Sequence, residues 1–469
     1  MNRFQRNRSR VRLATIALLL AFVVTPSLVS GQRAELEKII QRKVLPNGLE
    51  VIVVENHGVP LATVEVNVKN GAFTQSPEYA GLAHMYEHMF FRSNARFQRP
   101  EEFIQRAGEL GAVFNGTTQE ERVNYYITLA ADSVDAGIRF LSAALLAPLF
   151  KQDELERERQ VVIGEYDRNE SSPFFQLTQE MDKLLYPGNF SRKNVIGDRQ
   201  VILTTTPEKL RTIQRKYYIP NNSVLIVSGD VNPQRVFAAA ERELGGWQRG
   251  PDPFTADPIP PIPALTKNDA VVLEAGVGAV TVFLQWQGPS VGKDPKSTYV
   301  ADVFSDVLND PGSGMQQRLV DSGLWQSVGV NYYTLNNVGP ITISGQTSPE
   351  NLRKALAALD AEIARFDDPG YFNDTELAAV KAHRAVTSAF DRERASSFAH
   401  TLGFWWSVAD LEYYMGYVDN MAKQTLGDLR AYAARYIVGK PRITGVLIDP
   451  ASRQRLALTK EELAKGGAN

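Results

Sequence analysis

Residues 81 to 91 read Gly81-Leu82-Ala83-His84-Met85-Tyr86-Glu87-His88-Met89-Phe90-Phe91. The Ser76-Pro77-Glu78 just upstream is a helix start, with Ser at the N-cap, Pro at the first helical position and an acid in the first turn. The pattern predicts a helix over about 77–91 that carries His84 and His88 one turn apart on one face. Two imidazoles so placed can bind one ion together. Glu87 projects near the same face, where it could take a proton from a metal-bound water. A catalytic zinc takes three protein ligands and keeps a fourth position for water. The acid-rich stretch from Glu154 to Glu165 reads as helical and offers Glu158 and Glu165, seven apart on one face. Spacing alone does not choose between them.

Working outward, the chain has 469 residues, five histidines and no cysteine. That length suits two lobes of about 200 residues. The absence of Cys excludes disulfides, thiolate-bound metals and a Cys nucleophile, so a metal site must use His and carboxylates, a set that suits zinc. Formal net charge is −2, with no basic stripe of the kind nucleic-acid binding requires. Arg3, Arg6, Arg8, Arg10 and Arg12 precede an apolar run from Leu13 to Val24, followed by the small and polar residues Thr25 to Gly31. These are the three parts of a secretory signal peptide, expected over residues 1–30. The apolar run is short of the ~20 residues needed to span a bilayer, and no later segment is apolar enough to do so. Cleavage after Ser30 or Gly31 removes five arginines and takes the formal charge from −2 to −7.

Residues 250–265 hold six prolines in sixteen positions and read as an extended linker between an N-terminal lobe (34–249) and a C-terminal lobe (266–469). Leu210-Arg211, Lys216-Tyr217, Val227 and Asp230 recur 219 residues later as Leu429-Arg430, Arg435-Tyr436, Val446 and Asp449. In both copies a helical stretch ends near the aromatic residue and a β-rich run follows. A fixed offset points to a duplicated unit of about 210 residues. A looser parallel matches Val123-Asn124-Tyr125-Tyr126 with Val330-Asn331-Tyr332-Tyr333. Strands expected at Leu49–Glu55 and Ala62–Lys69, helices at about 77–91, 100–108 and 133–147, and a long helical stretch over 153–186 broken at Ser171-Ser172-Pro173 give an α+β fold. It has two duplicated lobes, each a mainly antiparallel sheet flanked by helices.

The opening stretch resembles the signature of the pitrilysin/insulinase metallopeptidases, whose inverted zinc motif is H-x-x-E-H. Their third ligand is a Glu about 76 residues downstream in a helix of pattern E-R-x-V-[IV]-x-x-E. Here that helix reads Glu158-Arg159-Gln160-Val161-Val162-Ile163-Gly164-Glu165, and its last Glu lies 77 residues after His88. The resemblance implies that His84, His88 and Glu165 bind Zn2+, that Glu87 is the catalytic base and that Glu158 supports the site. Gly111-Ala112-Val113-Phe114-Asn115-Gly116-Thr117-Thr118 resembles the family's edge strand, which receives the peptide by backbone pairing. It implies substrate binding at Phe114, Asn115, Gly116 and Thr117. The similarity covers essentially the whole mature chain and is that of the half-length, two-lobe subfamily of the mitochondrial processing peptidase beta subunit.

One feature departs from the pattern. In many active members the second lobe supplies an Arg and a Tyr seven residues apart, and those positions fall here on Leu319 and Gln326. The expectation is therefore a dimer, either with a similar chain that carries the Arg/Tyr pair or with a second copy in which Arg318 or Tyr332 serves instead. The expected function is that of an exported, periplasmic zinc metalloendopeptidase acting on peptides or unfolded polypeptides. The alternatives are a non-catalytic core-type subunit of the same fold and a peptide-binding module with structural zinc.

Overall fold

The computed structural model describes residues 32–466, so the expected signal peptide lies outside the described residues. Among the described residues eleven strands form two sheets. The first contains β1 (Ile40–Val44), β2 (Glu50–Glu55), β3 (Leu61–Val68), β4 (Val113–Thr118), β5 (Val123–Ala130) and β6 (Ser223–Gly229) in the order β1-β2-β6-β3-β5-β4. The second contains β7 (Asp269–Glu274), β8 (Val280–Gln287), β9 (Ser327–Tyr332), β10 (Pro340–Thr347) and β11 (Ile443–Ile448) in the order β7-β11-β8-β10-β9. Apart from β1 the two orders are the same. Each sheet is antiparallel except for one parallel pair, β2 with β6 and β7 with β11. The fold is α+β with two lobes of like topology.

The matches at offset 219 fall on equivalent elements. The helices Pro207–Tyr217 and Leu426–Tyr436 each lead into an inner strand of their sheet, β6 and β11. The looser parallel does not hold. Val123-Asn124-Tyr125-Tyr126 opens β5, whereas Val330 to Tyr332 closes β9, and these strands occupy different places in their sheets. Alternating apolar residues with paired tyrosines suit many half-buried strands, so the likeness reflects strand chemistry and not descent.

β6 is buried along its whole length. A strand buried on both faces needs helices on both faces, and the two halves of the chain supply them to each other. The helical stretch 153–186 is two helices, Gln152–Glu170 and Pro173–Leu185, broken at Ser171-Ser172 with Pro173 opening the second. Leu177, Met181 and Leu185 of that second helix pack on Ile443 and Leu447 in the sheet of the other lobe. Conversely, Phe398, Ala399 and Leu402 of the helix Ala395–Val408 cover Ile52, Val54, Val224 and Ile226 in the first sheet. Each such side chain contributes about 1.5–3 kcal/mol on full burial. Residues 250–265 form a short helix at Pro253–Ala256 and otherwise an irregular, largely exposed connection.

The loop between β9 and β10 adds a polar latch. Glu121, at the turn between β4 and β5, accepts the backbone N–H groups of Asn336 (2.5 Å) and Asn337 (2.8 Å) and the Asn337 side-chain amide (3.0 Å). Lys193 donates to the carbonyls of Asn337 (2.6 Å) and Val338 (2.9 Å). Both charges are enclosed. Burial pushes the Glu121 carboxyl up, with Lys193 and the loop amides opposing, and pushes the Lys193 ammonium down, with Glu121 opposing. Removing Glu121 leaves three loop N–H donors without their acceptor and the enclosed Lys193 without its nearby opposite charge. Glu121→Ala is therefore expected to destabilise the protein by about 3–5 kcal/mol, read as a lowered urea midpoint. An unchanged midpoint would show that the latch contributes nothing.

Candidate metal centre

The helix that carries the histidines is shorter than its sequence predicts. Ser76-Pro77-Glu78 begins a single 3-10 turn, Pro77–Tyr79, and the Ser76 hydroxyl donates to Glu78 (2.6 Å) without capping the helix. The chain then turns at Gly81, at φ 90°, and the α-helix runs from Leu82 to Phe90. A Cβ at residue 81 would sit 2.7 Å from the carbonyl oxygen of Ile196, so only glycine fits this left-handed corner. The first-turn N–H of Ala83 is met by the Gln75 side-chain oxygen at 2.9 Å. His84 therefore stands in the first helical turn. Leu82, Ala83, Met85, Tyr86, Met89 and Phe90 are buried, with Tyr86 stacked on Tyr218 and Phe90 on Tyr125. The opposite face presents His84, Glu87 and His88.

The helix Gln152–Glu170 packs alongside, and its geometry separates the two acids that spacing left open. Glu165 Oε2 lies 3.5 Å from Nε2 of both His84 and His88, and those two nitrogens are 3.3 Å apart. Ligands held about 2.0–2.2 Å from one tetrahedral ion stand about 3.3–3.6 Å from each other. The three atoms therefore have the spacing of one face of a zinc-sized tetrahedron. Two imidazole nitrogens this close meet lone pair to lone pair unless a proton or cation lies between them. Burial, with His88 adding to it, pushes His84 down to about 3, which keeps that ring neutral and its lone pair available. Among the described residues this is the one group of His and carboxylate side chains close enough to hold a metal ion.

Glu158 reaches the far side of His88. Its Oε2 is 3.3 Å from Nδ1, and its Oε1 accepts from Arg92 at 2.8 Å. Burial alone would raise the Glu158 carboxyl, but His88 and the Arg92 guanidinium outweigh it and hold it below the usual range. A carboxylate on the outer nitrogen fixes the ring and its tautomer for a ligand on the inner one. His84 has no such support, since its Nδ1 is buried without a partner among the described residues.

Glu87 stands beside this group. Burial pushes its carboxyl up, while the Thr118 hydroxyl, donating at 2.7 Å, and His88 oppose the rise. The edge strand closes over it. A Cβ at Gly116 would come within 3.0 Å of the Glu87 side chain and 3.1 Å of Phe91. β4 is the outermost strand, paired with β5 on one side only. Phe114 turns inward, its ring within 5.2–5.5 Å of those of Phe91 and Phe103, so it offers a ligand only backbone. Asn115 and Thr117 are exposed, and the Asn115 side chain accepts the N–H of Gly116 at 2.9 Å. A cavity of about 420 Å3 joins His84, Glu87 and Glu165 to Gly116, Thr117 and Thr118. Gln75, Arg92 and Thr118 were not singled out from sequence. Only Thr118, at the end of the quoted strand pattern, carried a signal.

Among the described residues the second lobe has no such centre. At offset 219 the counterpart of Glu165 is Arg384, which binds Asp306 through two nitrogens, at 2.9 and 2.6 Å. Asp302 and Asp306 lie four apart on the helix Pro295–Asn309, one position from the counterparts of His84 and His88. Neither residue considered for a substrate grip is free. Arg318 is held by both oxygens of Glu362 (2.5 and 2.7 Å), and Tyr332 is buried with its hydroxyl donating to the Pro289 carbonyl at 3.1 Å.

If Glu158 orients His88, Glu158→Gln should weaken divalent-metal affinity about 10–100-fold without loss of fold. Competition against a chromogenic chelator measures this, and wild-type affinity in the variant would remove Glu158 from the site.

Residues 50–188 match the family model described as insulinase, peptidase family M16, and residues 204–383 match the one described as the M16 inactive domain. Zinc protease PqqE of Helicobacter pylori is 25% identical over 409 residues, 84% of this chain and 89% of that protein. The crystal structure of a protease from Helicobacter pylori superposes with a TM-score of 0.78 at 23% identity, covering 88% of this chain and 99% of the other. The periplasmic protease PqqL of Escherichia coli gives a TM-score of 0.75 at 18% identity, with 92% of this chain matching 50% of that one. The first model covers the stretch that holds the His-His-Glu group, the second runs from the last part of the first lobe into the second lobe, and the chain belongs to peptidase family M16, the insulinase family.

Proposed function

We propose that the chain is an exported zinc metalloendopeptidase that hydrolyses peptides or unfolded polypeptides. The observation that carries this reading is the grouping of His84, His88 and Glu165 at tetrahedral spacing, with Glu87 beside it and an open sheet edge above. His84, His88 and Glu165 would hold Zn2+. When bound, the ion supplies Lewis acidity, lowering the pKa of a water and polarising the scissile carbonyl. Glu87 takes the proton from the attacking water and passes it to the leaving amine. Thr118 orients Glu87, and Glu158 orients His88. The free edge of β4, with Asn115 to Thr117, receives the substrate backbone as an added strand. Export is supported by the sequence of residues 1–30 and by the periplasmic PqqL among the structural relatives. No helix among the described residues is long and apolar enough to cross a membrane.

One observation favours a second reading. Arg318 and Tyr332 are both engaged within their own lobe, so this chain contributes no free Arg/Tyr grip from those positions. On the first reading a partner chain of similar fold supplies it, and on the second the chain is a non-catalytic subunit. Glu87→Gln decides the mechanism. It is expected to keep stoichiometric zinc by elemental analysis and to lose at least about 100-fold in turnover of an unfolded peptide, assayed alone and with a candidate partner. Cleavage at the wild-type rate would refute the role of Glu87, and a zinc-loaded wild type inert in both assays would favour the non-catalytic subunit. Gly116→Ala supplies a geometric test. The added methyl pushes on Glu87, and a shift of about 1 Å can cost on the order of 100-fold, so kcat should fall by about 10–100-fold with zinc content unchanged.

A further inference from the structure

A second cavity, of about 210 Å3, touches the histidine helix at Ala83 and shares no lining residue with the one beside the metal group. Neighbours in the chain divide between the two. Ala83 and Arg192 line this cavity, whereas His84 and Lys193 line the other. Its volume is that of about seven liquid waters. The buried Ala83, Ile213 and Tyr217 give it apolar surface. Gln75, whose side-chain oxygen meets the N–H of Ala83, belongs to the same wall. Lys216 and the exposed Asp257 form an ion pair at its edge. Asp257 directly follows the short helix Pro253–Ala256, so the connection between the lobes closes one side.

Arg192 is the charge left over. Its Nη1 donates to the Phe73 carbonyl at 2.8 Å, and among the described residues the guanidinium has no carboxylate partner and no other hydrogen bond. It is half-buried, and burial disfavours its charge, with Tyr217 and Asp257 opposing. Since Lys216 and Asp257 cancel, the wall carries one uncompensated positive charge. A strut for the Phe73 carbonyl uses one of the five guanidinium N–H donors. The edge that remains has the fork geometry of a carboxylate. The hydroxyls of Thr74, Ser76 and Thr212 do not compete for an anion, because each already donates within the chain, at 2.7, 2.6 and 2.9 Å.

We propose that this cavity binds a small organic acid, with its carboxylate on Arg192 and its ring or branched apolar body against Ala83, Ile213 and Tyr217. An inorganic anion would leave that apolar surface wet, and a neutral molecule would leave the guanidinium unpaired, so charge and shape select together. A second acidic group on the ligand would approach Asp257 and be repelled. The occupant rests on the first turn of the helix that carries His84, from a cavity that a peptide at the metal group does not enter. The site stands whether or not the chain cleaves peptides.

The test uses the full chain with benzoate, phenylacetate and isovalerate as probes, each paired with its uncharged amide. Titration calorimetry should give at least one acid a Kd below about 1 mM, with its amide at least about tenfold weaker. In spectra of protein labelled at the isoleucine methyl groups, the bound acid should shift Ile213 more than Ile196, which lines the cavity beside the metal group. Arg192→Met should weaken the acid at least about tenfold and leave the amide unchanged. Thr212→Leu, which keeps Arg192 and fills the cavity, should weaken both. A urea midpoint checks each variant, and if Arg192→Met does not fold, Thr212→Leu decides. No binding by any of the acids, equal binding of acid and amide, affinity unchanged in the folded variants, or a larger shift at Ile196 overturns the site.

Discussion

Three carboxylates on the helix Gln152–Glu170 reach across to the helix that carries the histidines and the turn just after it. Glu154 accepts the N–H and hydroxyl of Ser93, Glu158 joins His88 and Arg92, and Glu165 faces His84 and His88. Hydrogen bonds to charged groups contribute about 1.5–3 kcal/mol each, and a charge buried without its partner costs more than that. The contact therefore has one low-energy register. Sliding either helix by a turn would bury carboxylates against apolar neighbours. The apolar side of the same contact, with Tyr86 and Phe90 stacked into the sheet, leaves the His-bearing face no other way to point. Everything around the metal group is set from this pair: Thr118 on Glu87, Gly116 against its side chain, and the cavity wall beyond.

Much of this was legible because it is local or periodic. His84, Glu87 and His88 share a face by helical geometry, and Glu158 and Glu165 do the same, so sequence placed the right side chains on the right surfaces. It could not say which acid met which nitrogen, because that depends on how two helices lie together. The start of the histidine helix was misread for a related reason. Ser76-Pro77 has the chemistry of an N-cap, but Gly81 makes the corner, and what forces the corner is the carbonyl of Ile196, more than a hundred residues away. Gln75, Arg92 and Thr118 escaped notice because a single polar residue carries no pattern. The Tyr-Tyr parallel misled because strand-forming composition repeats more readily than topology does.

The two lobes show one scaffold used in two ways. Where the first sets two histidines and a glutamate, the second sets Asp302, Asp306 and Arg384. Burial pushes Asp302 up to about 7, and the Tyr417 hydroxyl donates to it at 2.7 Å. The positive charge that an external ion could supply in the first lobe is built into the chain in the second. A guanidinium in that place closes the helix pair permanently and leaves no coordination position open. The same duplication that made the strand order repeat thus yields one centre able to hold an ion and one sealed by an internal ion pair.

The exchange of helices between the halves bears on the order in which the protein can be completed. The inner strands of the first sheet are all synthesised by Gly229, yet the helix that covers one of its faces ends only at Val408. At about 5–20 residues per second, that face waits roughly 10–40 s, with Ile52, Val54, Val224 and Ile226 bare. The half that carries the histidines is thus the first to be made and among the last to be finished. The face left bare is the one opposite the histidine-bearing helix, which packs on the alternate side chains Val51, Val53, Leu225 and Val227 of the same strands.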